Sequence, residues 1–201
     1  INNRLTEYSQ KPECKYAYAA VMFGDFMVSS TKGTFDIVVI AKDDVMAAYN
    51  DALALVAQAC KTGFMQSELV RARDEMLAGY EKLYNERKNT KSATLARELI
   101  RHFIDNEPSP SVEKEYELVQ QVLPMLSVEM INPMLSQLLT PNNQVIVVSQ
   151  PETPETVAIT KEQAVGALNN ALNAQYEAYV DEVITDPVSY THLTLPTNSL
   201  V

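Results

Sequence analysis

Histidine, a frequent component of catalytic and metal sites, is nearly absent: the 201-residue chain contains only His102 and His192. A histidine zinc site and a Ser-His-Asp triad both depend on imidazoles at defined positions. His192 falls in a C-terminal tail of unusual composition, which leaves one usable imidazole. The sequence therefore predicts no catalytic residue, no cofactor-binding residue and no metal ligand in this chain.

Cysteine is equally scarce, with Cys14 and Cys60 far apart in the sequence. Their separation matches neither a zinc motif nor a redox motif. Cys60 falls on the apolar face of a predicted helix, where a buried cysteine acts as a small hydrophobic residue. The sequence leaves open whether the two cysteines pair, and with it the cellular compartment.

Basic residues are few, since 16 Lys and Arg stand against 26 Asp and Glu, for a net charge of -10. Nucleic acids and anionic membrane surfaces attract clustered cations, so this balance argues against both as partners. No apolar run approaches the ~20 residues of a membrane span. The five glycines are scattered, without the clustering that cradles a phosphate. These deficits argue against binding of nucleic acids, membranes and nucleotides, and they indicate a soluble globular domain.

The apolar residues that are present alternate between strand and helix patterns, which predicts an α+β fold. Residues 15–26 and 34–41 are rich in aromatic and β-branched side chains and predict an antiparallel pair. Residues 144–149 (Gln-Val-Ile-Val-Val-Ser) are almost wholly apolar and predict a central buried strand. We expect two layers, with helices packed on one face of a mostly antiparallel sheet.

Helix signals are placed between these strands. Asp43-Asp44 begins a helix that Gly63 ends, because glycine readily adopts the left-handed conformation found after a helix. The next helix is predicted from Glu68 to Tyr84, with Glu68–Arg71 and Arg71–Glu75 pairs on its exposed side. Further helices are predicted around 93–104, from Ser109 as N-cap with Pro110 as first residue, and over 128–139.

The chain divides into three parts by composition. Residues 1–150 are predicted to form the α+β domain, which we expect to lack its N-terminal strand, because residues 1–9 resemble the end of a helix. Residues 151–188 are interpreted as a linker and a helix leading to the next domain, the helix beginning at the capping box Thr160–Gln163. Residues 189–201 lack charge and helical period, and we interpret them as a non-native tail.

A few polar groups deserve consideration as sites. Glu98 and His102 are four residues apart on one helical face and could supply two metal ligands, but no third donor has a supporting spacing. Carboxylate pairs such as Asp43-Asp44 are better explained as helix caps. An unpaired edge of the first strand could add an extended peptide. None of these outweighs a structural role.

Several short motifs follow one another in a recognisable order. They are Asn-Arg-Leu-Thr-Glu at 3–7, Gly-Asp-Phe at 24–26, Thr-Lys-Gly-Thr-Phe at 31–35, Gly-Phe-x-x-Ser-Glu-Leu-x-Arg-Ala at 63–72, Glu-Tyr at 115–116 before Leu-Pro at 123–124, and the apolar run 143–149. In this order they resemble the second, non-catalytic domain of the zinc-bearing half of a pitrilysin/insulinase-type zinc metallopeptidase. The resemblance covers about residues 1–188.

This resemblance implies that zinc is bound in the parent's first domain, by a His-x-x-Glu-His motif that this chain lacks. The chain would then be an inactive domain that supports the catalytic domain and helps to wall a peptide chamber. Its partners would be homologous domains of the same parent chain, and the parent's substrate would be a peptide. The alternative is a domain of a catalytically inactive structural or partner subunit with the same fold.

Overall fold

The computed structural model describes residues 1–25, 32–153 and 156–180. Nine helices and strands, joined by two short 3-10 turns at Arg87–Asn89 and Leu123–Met125, follow one another in these ranges. They are α1 (Asn2–Ser9), β1 (Tyr16–Asp25), β2 (Gly33–Ala41), α2 (Val45–Thr62), α3 (Gln66–Glu86), α4 (Ser92–Asp105), α5 (Val112–Val122), α6 (Val128–Leu135) and α7 (Lys161–Asn173).

Strands β1 and β2 form an antiparallel pair whose register runs from Tyr16 opposite Ala41 to Asp25 opposite Gly33. Alternate residues of β2 are half-buried, because successive side chains of a strand point to opposite faces. The inner face packs on α1 and α2, whereas Tyr18 and Ile40 are exposed. The predicted antiparallel pair and the α+β class are therefore confirmed.

Helix α2 is the centre of the core and contributes to two apolar clusters. One of its sides packs with α1 and β1, and the other packs with α7. Alanines at 48, 52, 57 and 59 are almost fully buried, and their small side chains allow the neighbouring elements to approach closely. The first cluster contains Leu5, Tyr16, Ala19, Val56 and Cys60, and the second contains Leu53, Ala57, Ala167, Leu168 and Ala171.

The helix ends agree with their local signals. The Asp44 carboxylate accepts a hydrogen bond from the backbone N–H of Ala47, and Gly63 follows α2 with φ of 77°. Thr160 and Gln163 form the predicted capping box of α7. Helix α3 occupies Gln66–Glu86, slightly longer than predicted at both ends. These signals act over a few residues, so the sequence alone was sufficient to predict them.

Two predicted helix boundaries are wrong. Helix α5 is capped by Ser111 and not by Ser109, because the Ser111 hydroxyl accepts from the backbone N–H of Lys114 and leaves Pro110 outside the helix. Helix α6 contains Pro133 but ends at Leu135 and not at 139. Pro133 lacks a backbone N–H and so removes one hydrogen-bond donor from the helix. After Leu135 the chain continues as turns.

The predicted central strand at 144–149 is also wrong as stated. The segment is unpaired with any strand in the part of the chain that the structure describes, where β1 and β2 form the sheet. Val145 and Val147 are 84% and 85% exposed, while Ile146 packs against the second cluster. A strand is defined by the neighbour that receives its backbone hydrogen bonds, and here the described residues provide none.

Some predictions concern residues outside the described ranges. They are the strand end at Phe26, the end of the connecting segment at 181–188 and the tail interpreted as non-native at 189–201. Within the described ranges, no helix combines the length and the apolar character that crossing a membrane requires.

Candidate functional site

A buried arginine joins the beginning of the chain to the turn between α2 and α3. Arg4 on α1 is 2% exposed and forms a two-pronged ion pair with Glu68, with Nε–Oε1 and Nη2–Oε2 distances of 2.7 Å each. Its Nη2 also donates to the backbone carbonyl of Gly63 at 2.8 Å. The planar guanidinium suits such a geometry, because its N–H groups match both carboxylate oxygens.

Aromatic rings complete the surroundings of Arg4. The guanidinium carbon lies 4.1 Å from the centroid of the Tyr179 ring and 5.3 Å from that of Phe64. The Tyr179 hydroxyl donates to the Glu7 carboxylate at 2.6 Å, which fastens the segment after α7 to α1. Contacts between a cation and an aromatic face are strongest where the cation is removed from water, and Arg4 is buried here.

The turn after α2 is held from its other side by Asn132 of α6. The Asn132 amide accepts from the Phe64 backbone N–H at 2.8 Å and donates to the Phe64 carbonyl at 3.2 Å. We call Arg4, Gly63, Phe64, Glu68, Asn132 and Tyr179 together the Arg4 cluster. It connects α1, the α2–α3 turn, α6 and the segment after α7, which are far apart in sequence.

The ion pair fixes the charge of Glu68. Burial opposes the charged carboxylate, but hydrogen bonds from the Arg4 side chain and the Met65 backbone outweigh it, so the pKa of Glu68 is lowered. A lowered pKa in the folded state means that Glu68 stabilises the fold above its unfolded pKa and loses this contribution as the pH falls.

We expect Glu68→Gln to destabilise the chain at pH 7 and to matter less below about pH 4.5, the ordinary pKa of this carboxyl. Urea unfolding of both proteins between pH 7 and pH 3 measures the difference. Glu117→Gln is the control, because Glu117 pairs with Lys114 in the solvent. A Glu68→Gln effect that stays constant down to pH 3 would contradict this assignment.

The Glu98 and His102 side chains are each engaged by a different neighbour. Glu98 accepts from the Ser109 hydroxyl at 2.8 Å, and His102 Nδ1 lies 2.6 Å from the Glu107 carbonyl oxygen. Among the described residues, no three His, Cys, Asp or Glu side chains come close enough together to hold a metal ion. The family resemblance implies a zinc ion in the parent. The arrangement of donor side chains in the described residues does not fit a binding site for that ion.

Both cysteines are buried and free of a disulfide. Burial raises the pKa of the Cys60 thiol to about 11. A thiol with so high a pKa remains protonated at neutral pH and is a poor nucleophile. The interpretation of Cys60 as a small hydrophobic residue is confirmed by its place in the first cluster.

The edge of β1 is partly occupied by a side chain. The Asn2 amide accepts from the backbone N–H of Val21 at 2.7 Å and donates to its carbonyl at 3.1 Å. These are the two bonds that an added strand would make at this position. A peptide adding to this edge would have to displace Asn2.

A surface cavity of about 390 Å³ separates the 144–148 segment from α7. Its walls are mainly aliphatic, with Thr160 and Lys161 at the beginning of the helix. Thr160 is engaged in the capping box, and Lys161 is the one titratable residue among those that line this cavity.

Sequence reasoning missed the Arg4 cluster although its signal was present. Arg4 and Glu68 lie in two of the quoted motifs, but helical spacing predicts Arg71, on the same helix, as the partner of Glu68. The structure pairs Glu68 with Arg4 and places Arg71 3.8 Å from Glu7. The signal in the sequence was a pair of opposite charges, Arg4 and Glu68, in two motifs 64 residues apart.

Comparison with known proteins gives relatives in both sequence and fold, although no family model matches the chain. A protein from Arabidopsis thaliana described as "Zinc protease PQQL-like" is 31% identical over 103 residues, which are 51% of this chain and 11% of that protein. The fold resembles the crystal structure of the first half of the periplasmic protease PqqL from Escherichia coli, with a TM-score of 0.70 over 90% of this chain at 19% identity.

A predicted insulinase family protease from Yersinia pestis gives a TM-score of 0.68 over 84% of this chain at 16% identity. The chain covers 39% of the PqqL half and 36% of the Yersinia pestis protein, so it corresponds to only a part of each. The relative in sequence and the neighbours in fold agree with each other and with the motifs. This chain is thus related to peptidases of the pitrilysin/insulinase type and resembles part of a PqqL-like zinc protease.

Proposed function

We propose that this chain is the second, non-catalytic domain of the zinc-bearing half of a metalloendopeptidase. The observation that carries the proposal is the fold match, which extends over 90% of this chain but only 39% of the first half of PqqL. A piece of this size corresponds to one domain within a half. Zinc would be bound in the preceding domain of the parent, because the donors described here are too dispersed to hold it.

The role of the domain would be mechanical. The Arg4 cluster holds α1, the α2–α3 turn and the segment after α7 together. These contacts would make the domain rigid enough to support a neighbouring domain. The outer face of β1 and β2 carries exposed apolar side chains, including Tyr18, Met22 and Ile40. Clusters of exposed apolar side chains are typical of contact surfaces, so this face is suited to a domain contact or to the wall of a peptide chamber.

The recombinant chain tests the absence of chemistry. We expect residues 1–188 to hydrolyse no peptide in the presence of zinc and to bind zinc no better than the His102→Ala variant. Fluorescent peptide cleavage and isothermal titration calorimetry measure the two properties. Zinc-dependent cleavage that disappears in His102→Ala would overturn the proposal.

The sequence that precedes residue 1 in the parent gene tests the identity of the parent. A His-x-x-Glu-His motif in the preceding domain is expected. A degraded motif there would contradict an active parent and would favour the inactive structural or partner subunit.

A further inference from the structure

Helix α4 carries an apolar stripe that no other described part of the chain buries. Leu95, Leu99 and Phe103 recur every four residues, with Ile100 and Ile104 beside them, so that all five share one side of the helix. Leu99, Ile104 and Phe103 are 61%, 70% and 88% exposed. No side chain of α4 is buried.

A stripe of this kind is unusual for an isolated surface helix. Single exposed apolar residues are common on proteins, but contiguous groups of them mark contact surfaces. A helix of 14 residues is also only marginally stable in water without packing. The stripe therefore indicates a partner that covers α4 and stabilises it.

The charges around the stripe indicate the chemistry of that partner. Residues 87–101 contain five of the 16 Lys and Arg residues and a single carboxylate, Glu98, in a chain of net charge -10. Arg87 and Arg101 pair with Glu113 and Glu107. Three other cations near the stripe have no ion-pair partner among the described residues: Lys88, Lys91 and Arg97.

We propose that α4 docks on another domain of the same parent chain, in an apolar groove bordered by carboxylates. This inference rests on the proposed function, since it requires a multidomain parent. The length of the relatives favours this occupant, because the matched stretch is only 11% of the Arabidopsis protein. Within one chain, the high effective concentration allows a small apolar stripe to hold two domains together.

Hydrogen exchange of the full-length parent tests the docking. Peptides that span α4 are compared between the parent and the 201-residue chain, with peptides from the buried helix α2 as the internal reference. We expect α4 amides to exchange about tenfold more slowly in the parent, because docking opposes local opening of the helix, and α2 amides to exchange alike in both. Equal α4 exchange in the two proteins, with α2 equally protected, would overturn the docking and leave the proposed function intact.

A matched pair of variants identifies the surface. Phe103→Asp in the parent is expected to remove the extra protection of α4, whereas Met76→Asp is expected to preserve it, because Met76 is an exposed apolar residue of another helix. Unchanged exchange of α2 in both variants shows that the domain remains folded. Loss of α4 protection in both variants, or in neither, would contradict the assignment of the stripe.

The same measurement separates the other occupants. Slower α4 exchange in the isolated chain at higher protein concentration would identify a second copy as the partner and overturn the proposal. Slower exchange on phosphatidylserine vesicles, with no difference between parent and isolated chain, would identify a membrane surface and overturn it as well. If no longer parent with homologous domains exists, the proposed function itself fails, which is a separate result.

Discussion

Replacing Arg4 by alanine is expected to lower the free energy of unfolding by about 3–5 kcal/mol, because it leaves the largely buried Glu68 carboxylate without its partner. The Gly63 carbonyl would also lose a donor, and Tyr179 would lose the cation beneath its ring. Urea unfolding followed by circular dichroism measures the change. The loss is large because a buried charge cannot recover its hydration.

Lys114→Ala is the control for Arg4→Ala, since it also removes an ion pair. Lys114 and Glu117 are both more than half exposed, and such pairs contribute at most about 1 kcal/mol. The double variant Arg4→Met with Glu68→Met tests the mechanism, because replacing both charges by apolar side chains should recover much of the lost stability. An Arg4→Ala effect as small as that of Lys114→Ala would refute the central place of the Arg4 cluster.

Gly63→Ala is the second large effect, with an expected loss of about 3 kcal/mol from backbone strain and steric overlap. Gly63 has φ of 77° and ψ of -173°, a conformation that only glycine adopts readily. A Cβ atom at this position would lie 2.6 Å from the Asn132 side chain. Differential scanning calorimetry or urea unfolding measures the loss.

Gly79→Ala is the matched control, because Gly79 lies inside α3 and a Cβ there meets nothing within 4 Å. This substitution should stabilise the chain by about 0.5–1 kcal/mol, since alanine loses less backbone entropy in a helix than glycine. The double variant Gly63→Ala with Asn132→Ala would remove the steric overlap between the new Cβ atom and the Asn132 side chain. The backbone strain at residue 63 would remain. Stability changes of the same sign and size at both glycines would contradict the structural explanation.

The two large effects are expected at Gly63 and Arg4, and the sequence predicted a structural role for the first of these residues only. Gly63 was predicted to end α2, and the structure confirms this, but its contact with Asn132 depends on a residue of α6. Arg4 belongs to the Asn-Arg-Leu-Thr-Glu motif, but the sequence predicted no ion-pair partner for it. A residue of a motif can thus be identified from sequence while the interaction that explains it stays unknown.

For the candidate metal site as well, the sequence predicted which residues are neighbours on a helix but not which contacts they make. The proximity of Glu98 and His102 along α4 followed from helical spacing, but spacing did not indicate that Ser109 and the Glu107 carbonyl would engage these side chains. The absence of catalytic residues is still a prediction for the whole chain, tested by the zinc and peptide experiment. Its basis is the small number of imidazoles and not the geometry.

The sequence by itself determined the helix ends at Asp44, Gly63 and Thr160, the antiparallel pair and the family resemblance. Each of these depends on residues a few positions apart or on the order of motifs along the chain. Only the tertiary structure decided that Glu68 pairs with Arg4, that 144–149 finds no neighbouring strand among the described residues, and that the α4 stripe faces solvent. Such long-range contacts are chosen among many chemically equivalent partners, and packing of the whole domain makes that choice.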